Sequence, residues 1–183
     1  MAPDAPPQQY DIEPFDPDKH DRTAFSCGVD RLDNFLKRTA KKHQAGDFAR
    51  VFVAVKPGAA AVLGYYALNA HSVEGEALPG ALTKNSPRHG AIPAAYLSMI
   101  AVDRTAQGKR LGRSLLADAL KRLIPLSEEI GLAAVILDVF DDDGVAAYER
   151  RIAFYESMGF SSLPSNRARM FIPMKDVRAA FAG

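Results

Sequence analysis

From Tyr96 to Leu116 the chain passes from an apolar stretch, through Gln107-Gly108-Lys109-Arg110-Leu111-Gly112, into a segment whose apolar residues recur at Leu111, Leu115, Leu116 and Leu120. That order reads as a strand, a glycine-bearing loop and a helix. The loop and first helical turn leave backbone N–H groups without intrahelical partners, which is how a phosphate is received at a helix start. Four cations and no acid lie between Arg104 and Arg113, so an anion is expected there. Neither general phosphate fingerprint is present: there is no G-x-G-x-x-G, and Gly112 is followed by Arg113 and Ser114. Spacing alone leaves a basic, solvated helix start as an equal reading.

Other residue groups carry weaker chemistry. Lys37 with Lys41, and Arg38 with Lys42, form two basic stripes at i, i+4 spacing, which read either as a solvated helix face or as contacts to a phosphate backbone. Asp141-Asp142-Asp143 could deprotonate an amine, but carboxylates just ahead of a helix read first as an N-cap favoured by the dipole. Cys27 is the only cysteine, which excludes an intramolecular disulfide and a zinc site built on several thiolates. The four histidines lie far apart, with no i, i+4 pair of the kind metal motifs use.

The elements that must position these groups follow from periodicity and punctuation. Residues 1–9 read as a disordered tail, Tyr10 to Phe15 as a strand, and Asp30 as the cap of a helix whose Leu32, Phe35, Leu36, Thr39 and His43 share one face. Arg50–Val55 and Ala61–Ala70 read as an antiparallel hairpin turning at Pro57-Gly58. Residues 71–95 read as a long functional loop reaching over the substrate side. After the central helix, interrupted at Pro125, come a buried strand at Ala133–Phe140, a helix at Val145–Met158 and closing strands at Phe160–Leu163 and Arg169–Met174. Residues 10–176 form a single domain, and residues 177–183 a C-terminal tail. The order predicts an α/β fold of the α+β type, with a mixed, mostly antiparallel central sheet flanked by helices.

Composition narrows the setting. At 183 residues with 48% hydrophobic content the chain supports one sizeable core, and a net charge of +1 means that any nucleic-acid affinity must come from local patches. No signal peptide or bilayer-spanning run is present, so a cytoplasmic protein without a membrane partner is expected.

Three ordered segments between Asp11 and Met174 resemble the GNAT N-acetyltransferase superfamily. Ile100-Ala101-Val102-Asp103 followed by Gln107 to Gly112 is similar to its acetyl-CoA signature, Q/R-x-x-G-x-G/A; Phe154-Tyr155-Glu156-Ser157-Met158-Gly159-Phe160 to its F-Y-x-x-x-G-F segment; and Gly64-Tyr65-Tyr66-Ala67-Leu68 to its G-Y-x-x-L strand. The resemblance implies a GNAT-like acyl-CoA N-acyltransferase fold and acetyl-CoA as acetyl donor. The backbone of Ile100, Ala101 and Val102 would pair with the pantetheine arm, and the N–H groups of Gln107, Gly108, Lys109, Arg110, Leu111 and Gly112 would hold the pyrophosphate, with Arg110 and Arg113 adding charge. Arg110 stands where the motif has its first glycine, and helical φ and ψ are expected for it. Tyr155 is implied as the acid that protonates the departing thiolate.

A narrower resemblance, through Phe25-Ser26-Cys27-Gly28, Arg31 to Leu36 and Thr39-Ala40, is to the GNAT toxins of toxin–antitoxin modules. It implies the α-amino group of aminoacyl-tRNA as acceptor, Lys37, Arg38, Lys41 and Lys42 as tRNA contacts, Cys27 as a buried packing residue and a ribbon-helix-helix antitoxin as partner. A homodimer stays open. The chain departs from those toxins in carrying Met99 where they have an arginine, in its low net charge and in a longer Asp141 to Arg151 stretch. Two alternatives therefore stand beside aminoacyl-tRNA: transfer to a small-molecule amine or a protein N-terminus, and a non-catalytic acyl-CoA-binding module.

Overall fold

The computed structural model describes residues 9–74, 79–80 and 90–182. Among these, seven strands, β1 (Asp11–Pro14), β2 (Arg50–Val55), β3 (Gly64–Glu74), β4 (Ala91–Val102), β5 (Ala134–Asp138), β6 (Ser161–Leu163) and β7 (Asn166–Pro173), make one sheet in the order β1-β2-β3-β4-β5-β7-β6. β4 and β5 pair in parallel, whereas β1–β2, β5–β7 and β6–β7 are antiparallel. The helices are α1 (Asp30–Asn34), α2 (Ala40–Ala45), α3 (Leu111–Glu129), α4 (Val145–Glu156) and α5 (Met174–Phe181). This is the mixed, mostly antiparallel sheet with flanking helices that the element order predicts. The chain divides into two compact units, Met1–Ala67 with Met99–Leu116, and Leu68–Ser98 with Ala117–Gly183.

In the first unit, aromatic packing organises the core. Tyr65 is fully buried between Phe25, edge-on at 5.6 Å, and Phe35, stacked at 6.0 Å, and its hydroxyl donates to the Leu32 carbonyl at 2.7 Å. Ring pairs of this kind contribute about 0.5–1.5 kcal/mol beyond burial. The motif glycine Gly64 is needed for close approach: a Cβ there would meet Leu115 Cδ1 at 2.8 Å and the Ala101 carbonyl at 3.2 Å. Between α1 and α2 the residues Phe35–Thr39 form a π-helical turn, closed by Ala40 N–H to the Phe35 carbonyl. The basic stripes are therefore not two uniform i, i+4 rows; Lys37 is half-buried, while Arg38, Lys41 and Lys42 are exposed. Asp30 does not cap α1, since Val29 occupies that position and no side chain bonds there. Asp33 instead reaches back to the Cys27 N–H at 2.8 Å and Ser26 Oγ at 3.1 Å.

In the second unit β5 lies between β4 and β7, with its first four residues buried, as its continuous apolar run requires. Val73, Ile92, Ala94, Ile136, Leu163 and Phe171 form its core. Three expectations change here. The loop predicted over 71–95 is shorter, because residues 71–74 belong to β3 and 91–95 to β4; Ile92 and Ala94 turn inward around an exposed Pro93. Residues 75–78 and 81–89 of that loop, like residues 1–8 of the tail, lie outside the described residues. Pro125 sits inside α3 without ending it, for the stripe Leu115, Leu116, Ala119, Leu120 and Leu123 anchors the preceding turns and Ile130 N–H bonds to Leu126 beyond. The tail expected at 177–183 is helical to Phe181, since Met174 and Val177 bury one side of α5.

Candidate active site

Within the first unit, β4 continues to Val102, past Tyr96, where its register with β5 ends. Asp103 then starts a turn. Its carboxylate accepts from the N–H groups of Ser26 and Thr105, each at 2.9 Å, and from Thr105 Oγ1 at 2.6 Å. Burial acts to raise the Asp103 carboxyl, but these hydrogen bonds and the neighbouring Arg104 outweigh it and hold the group below its usual range. The Gln107 side chain donates to the carbonyls of Cys27 and Val102, both at 3.0 Å, so this motif residue braces the loop from within. Asp103 and Gln107 thus tie the loop to the Ser26–Gly28 turn. Gly28, at φ 97°, is kept without a side chain by Arg104, whose Nε would lie 3.1 Å from a Cβ.

Two left-handed positions on either side of Lys109 shape the loop beyond: Gly108 at φ 75° and Arg110 at φ 64°. The helical conformation expected for Arg110 is not found; the arginine takes the glycine conformation of the motif, at a cost of about 1–2 kcal/mol. α3 starts at Leu111, whose side chain is buried, and its first bond back runs from Ser114 N–H to the Arg110 carbonyl. Lys109, Arg110 and Arg113 are exposed around this start, and a Cβ at Gly108 would meet nothing within 4 Å. An open loop, a helix start and exposed cations without a carboxylate among them fit a polyphosphate such as that of acetyl-CoA.

Within the second unit, Tyr155 lies on α4 with its ring 5.2 Å from that of Phe154 and 6.0 Å from that of Phe160. Gly159, at φ 92°, ends the turn after α4, and a Cβ there would press on Ile172 Cδ1 at 3.1 Å. That explains the glycine of the F-Y-x-x-x-G-F segment. Burial pushes the Tyr155 phenol up to about 12, so it is fully protonated at neutral pH. Among the described residues no hydrogen bond commits its hydroxyl, which leaves the proton available to a ligand.

Other expected residues are placed differently. Asp141, Asp142 and Asp143 do not cap α4, whose N-cap is Gly144 at φ 92°; Asp143 is held in a bidentate pair by Arg151, which lowers its carboxyl. Cys27 is half-buried, and burial with the adjacent Asp33 pushes its thiol up to about 12, so it is not a nucleophile. Sequence reasoning missed a polar row on adjacent strands of the second unit. Arg169 holds Asp138 through two bonds of 2.8 Å, Tyr96 donates to Asp138 at 2.9 Å, and the His71 ring lies 5.1 Å from that of Tyr96. Only strand register brings these residues together, and no local spacing signals it.

The model of the GNAT acetyltransferase domain matches residues 47–162. A probable toxin TacT of Sinorhizobium fredii is 43% identical over 92% of this chain and 93% of its own length. A tRNA-acetylating toxin of Mycobacterium tuberculosis is 35% identical over 88% of this chain and 91% of its own. The solved structure of AtaT complexed with acetyl-methionyl-tRNAfMet superposes with a TM-score of 0.82 at 26% identity, covering 94% of this chain and 99% of that one. Identity of this extent, together with the acetyltransferase model over residues 47–162, means that the chain belongs to the GNAT acetyltransferase family, is similar to toxins of that family, and is an acetyl-CoA-dependent N-acetyltransferase.

Proposed function

We propose that this enzyme acetylates the α-amino group of aminoacyl-tRNA and acts as the toxin of a toxin–antitoxin pair in the cytoplasm, with a ribbon-helix-helix antitoxin as partner. The observation that carries this reading is the 35% identity to a tRNA-acetylating toxin over 88% of the chain. The backbone of Ile100 to Val102 pairs with the pantetheine arm and supplies the N–H for the developing oxyanion. The N–H groups from Gln107 to Gly112 hold the pyrophosphate, assisted by the charges of Arg110 and Arg113. An α-amino group with a pKa of about 7.7–8.0 is partly neutral at pH 7 and needs no dedicated base. Its nitrogen bonds to the thioester carbonyl carbon, the C–S bond breaks, Tyr155 gives its proton to the thiolate, and the nitrogen sheds its extra proton to water, from which Tyr155 is reprotonated. Lys37, Arg38, Lys41 and Lys42 meet tRNA phosphates.

Transfer to a small-molecule amine or protein N-terminus gains little from Asp143, whose charge is matched by Arg151. Incubation with labelled acetyl-CoA and charged tRNA is the test. Label is expected in the RNA fraction, and label confined to small molecules or protein overturns the acceptor assignment.

A further inference from the structure

Apart from the cofactor loop, the first unit holds a cavity of about 480 Å³ lined by Pro17, His20, Asp21, Arg22, Thr23 and Lys37. Its two cations are built in different ways. The Arg22 guanidinium lies over the Phe15 ring, 5.1 Å from the centroid, and its Nε–H donates to the Lys37 carbonyl at 3.3 Å. Ring and carbonyl fix the plane of the group, so little rotamer freedom is left to lose on binding. Lys37 lies in the π-helical turn and is half-buried. Among the described residues, neither the Arg22 Nη groups nor the Lys37 ammonium has a hydrogen-bond or ion-pair partner.

The other polar walls are occupied. Asp21 Oδ1 accepts from the Thr23 N–H at 2.9 Å and from Thr23 Oγ1 at 2.7 Å, and these bonds hold its carboxyl below the usual range. His20 Nδ1 accepts the Asp16 N–H at 2.9 Å, which leaves Nε2 to donate to Glu13 Oε1 at 2.7 Å; a ring with that tautomer is neutral. Arg22 and Lys37 against Asp21 leave one positive charge, which matches the single negative charge of a phosphodiester. The exposed Arg38, Lys41 and Lys42 follow Lys37 on the same helical stretch.

We propose that this cavity is a phosphodiester subsite for the acceptor RNA, in which Arg22 makes the planar contact and Lys37 the point-charge contact. The assignment rests on aminoacyl-tRNA as acceptor, and adds Arg22, which no helical spacing brings to Lys37, to the RNA-binding surface.

Binding of uncharged tRNA across about 50 to 200 mM salt reads the contact directly. Lys37→Met and Arg22→Gln are each expected to weaken binding and to flatten the slope of log K against log salt by about 0.7–0.9, with KM for acetyl-CoA unchanged. Lys56→Met, which removes an exposed cation from the turn after β2, is the control and leaves the slope at the wild-type value. Lys37→Arg restores the slope, separating lost charge from lost fold. Wild-type slopes in both cavity variants overturn the proposal. Inorganic phosphate is the second probe: if it binds the wild type and not the variants while the tRNA slopes stay unchanged, the cavity takes free phosphate and the RNA assignment falls. Acetyl transfer is scored separately. A wild-type enzyme that leaves charged tRNA unlabelled removes the acceptor reading, whereas transfer to tRNA with unchanged slopes removes only the subsite.

Discussion

Tyr155 shows how one environment sets one group's chemistry. Phe154 and Phe160 pack on its ring, and burial pushes the phenol up to about 12. A phenol with that pKa keeps its proton at neutral pH, which is the state the proposed acid role requires. Tyr155→Phe keeps the ring and removes the proton, so kcat is expected to fall by about 10²-fold or more with KM for acetyl-CoA and the melting temperature near wild type. Initial rates against pH provide a second check. The wild-type profile should rise as the acceptor amine loses its proton, with no descending limb from this phenol below its pKa of about 12. Tyr65 is the contrasting case: it is fully buried, its hydroxyl is spent on the Leu32 carbonyl, and its role is in the core.

The loop between β4 and α3 is held in shape by Asp103 and Gln107, which tie it to the Ser26–Gly28 turn, so that its cations surround a fixed backbone. Within it Arg110 combines a charge with a conformation that glycine adopts more cheaply. The backbone term can be isolated by comparing two substitutions that both remove the charge. Arg110→Ala keeps a Cβ at φ 64° and is expected to be about 1 kcal/mol less stable than Arg110→Gly, read as a lower urea midpoint. Equal midpoints would mean that the loop relaxes out of the left-handed conformation. Periodicity revealed this element's existence but not its dihedral angles, because a hydrophobic pattern reports which residues face inward and is silent about a solvated turn. The π-helical turn at Phe35–Thr39 escaped for a related reason: its burial stripe differs little from that of an α-helix over five residues.

For the molecule as a whole, pH response follows from carboxylates held below their normal range. Arg169 is the main cause at Asp138; at Asp103 burial is opposed and outweighed by hydrogen bonds from Thr105 and Ser26. Both groups have depressed pKa values in the folded state. Their stabilisation is therefore fully present above the unfolded-chain value of about 3.9 and is lost as pH falls through the folded values. The melting temperature is expected to hold from neutral pH down to about 4 and to drop below it, and Asp103→Asn should flatten that acid decline. Much of this molecule was determined by the sequence alone. The strand, glycine loop and helix, the hairpin motif and the F-Y-x-x-x-G-F segment are local patterns, and local patterns specify backbone elements and the charge of the loop between them. Tertiary structure decided what depends on register and approach. Asp138 meets Arg169 and Tyr96 only because β5 lies between β4 and β7, Asp103 meets Ser26 across 77 residues, and Arg22 reaches the Lys37 carbonyl from outside any helical spacing. Side chains distant in sequence find each other through packing of the whole chain, and no window of neighbouring residues encodes that geometry.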